Sequence, residues 1–460
     1  MNNLEIFLSE LSSSECSLVH YSPEIAIRSL SSDTRKLKPG DWFICLKGES
    51  SDGHDYIEVA LEKGAEGIIY DDNRNLSYRG LKVKDTNLFL GYLANFWRKK
   101  IKPVVIAITG SNGKTSTKEI AAFLLEQVFP GKICKTKENF NNQFGVPFTL
   151  LDLKKEDLYC VVEMGTNHPG EIKYLAEIAE PDYSIVTTIA QGHIGNFGSL
   201  EKIAEEKSDI LTGMRGGSLI INREISCYSL FELKSNFYNV TLSAMESTKS
   251  MDHSVTEQGT RFVFENRNFL LPFKGEHQWK NFLLVKRLID LLKIEKEKVI
   301  KAFEKLPELQ EIKGRMQHHF VNGVHIWDDS YNANPDSFEK AIRFVRGSAI
   351  QGSLFGAFGA MGELGEMEIF FHEQLGRLAN QSGFEHILFS SSSHDVRNAF
   401  RKGFIEDSTK KNILLCSADD IELKKGVEII KNRIKEGDHL LIKGSRSAQM
   451  ERVLKYWITK

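Results

Sequence analysis

The stretch AITGSNGKTSTKEI, residues 107–120, sets a lysine and two hydroxyl side chains directly behind two closely spaced glycines. A glycine turn that opens a helix points backbone N–H groups at anions. A Gly-Lys-Thr ending adds an amine for terminal phosphates and a hydroxyl for Mg2+. The common phosphate loop keeps four residues between its first glycine and Gly-Lys-Ser/Thr. Here only Ser111 and Asn112 separate Gly110 from Gly113, Lys114 and Thr115, and Ile108 stands where the longer pattern wants glycine. The all-apolar VVIAI ahead of the turn predicts a buried strand ending at Thr109, with a helix from near Lys114. Spaced glycines alone also suit a plain turn; strand, Gly-Lys-Thr and helix together favour nucleotide binding.

Two more positions carry chemistry in their own setting. Glu163 ends the apolar strand LYCVV, at the carboxyl edge where open α/β sheets bind ligands. A carboxylate there suits Mg2+, and a helix-capping or solvated Glu is the plainer reading. In SLEKIAEEKSDIL, residues Leu200, Ile203, Ala204, Ile210 and Leu211 share one helical stripe. Lys207 lies in the middle of that stripe, with Lys202, Glu205, Glu206 and Asp209 off it. A lysine on a buried face needs a partner, unless its stem packs and its amine reaches water.

The elements that must hold these groups read as three α/β units. The first alternates the strand DWFICLKG, the helix GHDYIEVALEKG closed by Gly64, the strand EGIIYDD and the helix NLFLGYLANFWRKK, whose basic end suits a helix C-terminus. Pro103 and VVIAI open the second. A boundary near EIKGRMQ, after a helical stretch over 279–305, opens the third, with strands VHIWDDS, GSLFGAF, HILFS and HLLIKG. The expected limits are 1–102, 103–313 and 314–460, three α/β domains, the middle one carrying the glycine loop at the edge of a mostly parallel sheet.

Composition narrows the class. The 460 residues are 41% hydrophobic and 27% charged, enough for several cores in a globular protein. The 60 basic and 62 acidic residues nearly cancel, which gives no support to nucleic acid or an anionic membrane as the partner. No apolar run approaches a membrane span, and no N-terminal apolar leader stands out. Cys16, Cys45, Cys134, Cys160, Cys227 and Cys416 are scattered without a C-x-x-C pair, so reduced thiols and a cytoplasmic setting are expected.

TGSNGKTSTKE resembles the shortened P-loop of the Mur ligase family, the ATP-dependent amide ligases of peptidoglycan precursor synthesis. Further segments resemble the family in order: SSDTRKLKPGDWFICLKGESSDGHDY, ENFNNQFGVPFTLL, VVEMGTNHPGEI, TTIAQGHIGNFGS, KGRMQ, DDSYNANPDS and IKGSRSAQME. The last two are most similar to the member that joins D-alanyl-D-alanine to a UDP-muramoyl-tripeptide. The sister enzyme for the third amino acid carries Asn-Pro-Arg, whereas Asn334-Pro335 here runs into Asp336. Folate-type ligases share the fold but lack the uridine-binding domain.

The resemblance implies that 1–102 is a uridine-nucleotide-binding α/β domain, 103–313 a central P-loop ATP-binding domain and 314–460 a Rossmann-like C-terminal domain. It implies ATP and Mg2+ as cofactors, an acyl-phosphate route, small-molecule partners only and a monomer. It implies that Gly110, Ser111, Asn112, Gly113, Lys114, Thr115 and Ser116 hold ATP. His277 and Asn281 of GEHQWKN would lie towards adenine, although Glu276 and Gln278 replace the usual Arg and Asn. Arg315 would cross to the phosphates. Thr115, Glu163, His193 and a carbamylated Lys207 would hold the metal, with Lys114, His193, Lys207, Arg315 and Asp329 catalytic. Asp329, Asn332 and Asn334 would position ATP or the incoming amine, together with Lys443, Ser445 and Arg446, while turn chemistry alone also favours these residue types. Ser31, Thr34 and Arg35 would take the uridine-diphosphate end, and Asn139, Asn141 and Asn142 the muramoyl-peptide channel. Two family features are absent: Ala360 replaces an acid in GAMGELG, and IINREIS lacks an acidic pair. The spaced glycines of FGAFGAMGELG are weak evidence for a dinucleotide, and HEQLG is no zinc-protease helix.

Overall fold

A computed structural model describes residues 4–7, 10–11, 16–19, 26–71, 80–245, 251–256, 258–349, 351–405 and 412–458. The chain forms three α/β units in sequence order. The first holds a five-stranded sheet ordered Cys16–Val19, Gly80–Val83, Gly67–Tyr70, Trp42–Ile44, Leu30–Ser31. Only the Cys16–Val19 edge runs antiparallel. The helix Thr86–Ile101 starts on Asp85, which accepts from the Leu88 N–H, and stops at Lys102 in a left-handed conformation.

The second unit carries the chemistry. Its six strands are all parallel, ordered Thr241–Met245, Ser218–Asn222, Tyr183–Val186, Val104–Thr109, Tyr159–Glu163, Ile133–Lys135. The strand Val104–Thr109 is central, as its uninterrupted apolar character predicts. Val105 and Ala107 feed one core, shared with Trp97 of the first unit; Ile106 and Ile108 feed the other, with Trp279 and Phe282. That double burial fixes the strand and so fixes the turn at its carboxyl end. Gly110 and Gly113 have φ of +141° and +85°, and a Cβ on them would sit 2.1 Å from Thr187 Oγ1 and 2.6 Å from Asn281 Oδ1. Positive φ and close neighbours both require glycine there.

The third unit has a six-stranded sheet ordered Gln317–Val321, Val324–Asp329, His439–Lys443, Leu354–Gly359, Phe384–Ser390, Asn412–Cys416, with only the Gln317–Val321 edge antiparallel. Its two faces bury separate cores.

Several expectations need correction. The stretch 279–305 is two helices, Glu276–Leu291 and Lys296–Glu304. Within the second unit, after its parallel sheet, a three-stranded antiparallel sheet, His253–Thr256, Gly259–Phe264 and Arg267–Leu271, covers that pair. Asn412–Cys416 and Gln317–Val321 are strands that the apolar pattern did not reveal. Glu206, placed off the apolar stripe, is 4% exposed. Its carboxylate accepts from Gly170 N (2.7 Å) and Ile172 N (2.8 Å), where the helix Glu171–Ala179 begins. Helix-start N–H groups lack partners within their own helix, so a buried carboxylate satisfies them from outside.

Candidate active site

The carboxyl ends of the second and third sheets face one cavity of about 1180 Å³. The helix Lys114–Val128 begins at its wall. Lys114 Nζ donates to the carbonyl of Gly110 (2.8 Å), while Ser111 Oγ donates to Ala190 O (3.0 Å) and Asn112 N to Thr188 Oγ1 (3.1 Å). The compact loop is thus braced by the 187–190 segment that follows the neighbouring strand.

Thr115 is the meeting point. Its hydroxyl donates to Glu163 Oε1 (3.2 Å) and accepts from Arg315 Nη2 (3.4 Å), which comes from the third unit. Asn141 Nδ2 also donates to Glu163 Oε1 (2.8 Å). Two buried atoms here have no hydrogen-bond partner: Glu163 Oε2 and Arg315 Nε. A buried polar atom without a partner is costly and marks a place built for something else. The pair is of opposite character, an acceptor suited to a cation and a donor suited to an anion. Among the described residues, no three His, Cys, Asp or Glu side chains converge on a protein-only metal cage. The free Glu163 Oε2 is the kind of oxygen that a hard cation such as Mg2+ would take, with phosphate and water completing its shell.

His193 follows the strand Tyr183–Val186 in a left-handed conformation, φ +61°. Its Nδ1 lies against the Glu363 carboxylate of the third unit, and Gly195 N donates to Glu363 O (2.9 Å). Lys207 is 2% exposed in the helix Leu200–Ser208. Burial first, and the Lys114 charge second, hold its amine well below the usual lysine range. The expected buried lysine is therefore present.

On the third unit, Lys443 is 1% exposed and pairs with Asp329 (2.5 Å), while donating to Asn332 O (3.1 Å). Asp329 also accepts from Met316 N (3.1 Å), and the Arg446 N–H reaches Asn332 Oδ1 (3.3 Å). Asn334 has a structural duty: it N-caps the helix Pro335–Ser348 in a capping box with Ser337. Its amide still donates to Asn112 Oδ1 (2.9 Å), bridging the units. Asn142 likewise accepts from Phe144 N and Gly145 N at a helix start, while Asn139 and Asn141 line the cavity with it. His277, Asn281, Ser116 and Ser445 also line it. Asn281 donates to Gln278 Oε1 (3.2 Å), so Gln278 supports it from one turn away.

Ser31, Thr34 and Arg35 do not line this cavity. Arg35 is exposed and pairs with Asp33 (2.9 Å). The neighbouring Lys36 amine lies 5.9 Å from the Phe140 ring, next to Asn139 and Asn141. The segment 222–226 that departs from the family pattern is on the wall too, where Glu224 pairs with Lys280 (3.0 Å).

Sequence reading missed four participants. Tyr331 stacks under Arg315, 4.1 Å from ring to guanidinium. Glu363 meets His193 across the units. Asp336 accepts from Asn112 Nδ2 (2.9 Å). Lys118 is completely buried beside Glu163. The first three were visible in DDSYNANPDS and MGELG, but only the fold brings them to the second unit.

With this geometry in view, comparison with known proteins is specific. The Mur ligase middle domain matches residues 108–288, the glutamate ligase domain of Mur ligases matches 314–446, and the Mur ligase catalytic domain matches 26–107. The chain is 31% identical to UDP-N-acetylmuramoyl-tripeptide–D-alanyl-D-alanine ligase of Haemophilus influenzae, covering 94% of this chain and 93% of that one. The structure of MurF from Acinetobacter baumannii superposes with a TM-score of 0.84 at 27% identity, covering 95% and 94%. MurF ligase from Thermotoga maritima, in complex with ADP, gives 0.78 at 28% identity, covering 94% and 97%.

Burial lowers the His277 pKa to about 4. An unfolded chain, with histidine near 6.5, takes up that proton first, so the imidazole favours folding at neutral pH and the benefit fades as pH falls from 6.5 towards 4. Urea unfolding should show stability falling over that window. His277→Gln should flatten it by up to about 3 kcal/mol, leaving the slope from His318 and His372, also lowered to about 4. An identical slope in the variant would contradict this assignment.

Proposed function

The chain belongs to the Mur ligase family, and we propose that it joins D-alanyl-D-alanine to UDP-N-acetylmuramoyl-tripeptide, consuming ATP and releasing ADP and phosphate, in peptidoglycan precursor synthesis. The observation that carries this reading is the meeting of Lys114, Thr115 and Glu163 with Arg315 from another unit. The protein acts in the cytoplasm as a monomer, with domain limits at 102/103 and 313/314. Among the described residues no helix is long and apolar enough to cross a membrane.

A carboxylate is a poor electrophile, and two anions must meet for ATP to activate it. The Gly110–Ser116 loop turns its N–H groups to the phosphates, and Lys114 and Arg315 neutralise charge as it shifts to the bridging oxygen. The tripeptide carboxylate oxygen attacks the terminal phosphorus, the bond to ADP breaks, and an acyl phosphate forms. The dipeptide ammonium gives up a proton, the free amine attacks that carbonyl, the C–O bond to phosphate breaks, and phosphate leaves. Thr115 and Glu163 fit one Mg2+, and His193 with Lys207 as a carbamate would hold a second. Bound there, Mg2+ supplies the positive charge that draws the reacting oxygens together.

The remaining residues place substrates. Ser31, Thr34 and Arg35 hold the uridine diphosphate, and Asn139, Asn141 and Asn142 line the path of the muramoyl peptide. His277, Asn281 and Asn332 flank ATP. Asp329 receives the dipeptide ammonium, with Asn334, Lys443, Ser445 and Arg446 around it. Lys207 works only with its charge inverted. Its burial favours the neutral amine, CO2 adds to that amine, and the carbamate offers oxygens to a hard cation.

Phosphate release from ATP should require both UDP-muramoyl-tripeptide and D-alanyl-D-alanine. Preference for free lysine, diaminopimelate or glutamate would move the chain elsewhere in the family.

Lys207→Ala should lose most activity while remaining folded, because alanine suits the helix. Acetate or formate should restore part of it by supplying the missing carboxylate, and should not rescue Lys207→Arg. Full activity of Lys207→Ala without added acid would refute the carbamate.

A further inference from the structure

We propose that Lys118 is a positioning residue that ties the phosphate-loop helix to the 137–142 loop and to Glu163, holding the muramoyl-peptide side and the metal side of the site in one register. The proposal rests on the ligase reading above for its substrate.

Lys118 lies one helical turn beyond Lys114, and its side chain is completely buried. A buried ammonium survives only where its charge and its N–H groups are answered. Three groups answer this one. Nζ donates to the carbonyl of Glu138 (3.1 Å), pairs with Glu119 Oε1 (3.1 Å), and stands 3.6 Å from Glu163 Oε2. Glu119 is shared with Lys135 at 2.5 Å, so two cations and two carboxylates balance.

The Glu138 contact falls where the backbone needs support. Glu138 has φ +46°, a left-handed conformation that costs a residue with a side chain. Lys118 holds the carbonyl of that residue. Three positions later the loop is tied again, by Asn141 Nδ2 to Glu163 Oε1 (2.8 Å) and by Gly165 N to Asn141 O (2.8 Å). Glu163 therefore joins both ends of the strut. At 3.6 Å the ammonium compensates the Glu163 charge without a hydrogen bond to Oε2, so that oxygen keeps its lone pairs for a cation. A residue that merely filled the core would need no such reach to a loop carbonyl.

Lys118→Met keeps the length and loses the charge and the donor. Hydrogen exchange at residues 138–142 should accelerate about tenfold or more in it, with residues 111–116 unchanged, since a charged hydrogen bond is lost at the loop alone. The KM for UDP-muramoyl-tripeptide should rise about tenfold and that for ATP by less than about threefold. Adding Glu138→Gly to Lys118→Met should slow the loop exchange again, because glycine takes positive φ without support. If Lys118→Met does not fold, Lys118→Gln, one bond too short to reach Glu138, carries the same expectations. Unchanged loop exchange, or equal rises in both KM values, would overturn the proposal. Loss of D-alanyl-D-alanine dependence in the unaltered protein would remove the ligase reading instead, and the exchange measurement would still decide Lys118.

Discussion

Anions that must touch dominate this structure. A triphosphate and a carboxylate repel each other, and no single loop carries enough positive charge to bring them together. The chain places a phosphate loop on one unit and Arg315 on the next, and lets them meet at Thr115 and Glu163. Everything else follows from holding that point. The central strand is buried on both faces, which keeps the loop from shifting. The capped helix from Asn334 sets the third unit against Asn112, and the His193–Glu363 contact adds a second bridge between the same units.

Buried charge is the material used. Lys118, Lys207 and Lys443 are each almost wholly enclosed, and each has a different answer. Lys443 has a direct carboxylate partner in Asp329. Lys118 has two carboxylates and a carbonyl. Among the described residues Lys207 has no ion pair or hydrogen bond of that kind; the Glu206 and Glu171 charges favour its ammonium from farther off, and the Lys114 charge opposes it. That contrast is the physical reason to expect chemistry at Lys207 and support at the other two. Isolated charges in a low-dielectric interior shift to neutrality or find a counter-charge.

Much of this was legible in the sequence where one signal acted alone. VVIAI before a glycine turn identified the central strand and the loop, and one lysine on an apolar stripe identified a buried amine. What escaped depended on neighbours far along the chain. QHHFV lacks an apolar alternation, and its edge position explains why it needs none. Glu206 fell off the apolar stripe, and its burial escaped because its partners, Gly170 and Ile172, lie where another helix begins. Lys118 sits in the quoted loop motif itself. Its burial comes from packing against Glu138 and Glu163, which local periodicity does not see. Asn142 and Asn334 were read as binding residues; Asn334 also N-caps a helix, and Asn142 also accepts from the Phe144 and Gly145 N–H groups where another helix begins.

The central claim is that this assembly of charges transfers the terminal phosphate of ATP to the peptide carboxylate before the amine attacks. The direct measurement is the fate of carboxylate oxygen. UDP-muramoyl-tripeptide labelled with heavy oxygen at its terminal carboxylate would be turned over with ATP and D-alanyl-D-alanine, and the released phosphate read by mass spectrometry. The account predicts one labelled oxygen in each phosphate formed. Unlabelled phosphate alongside full amide product would contradict it.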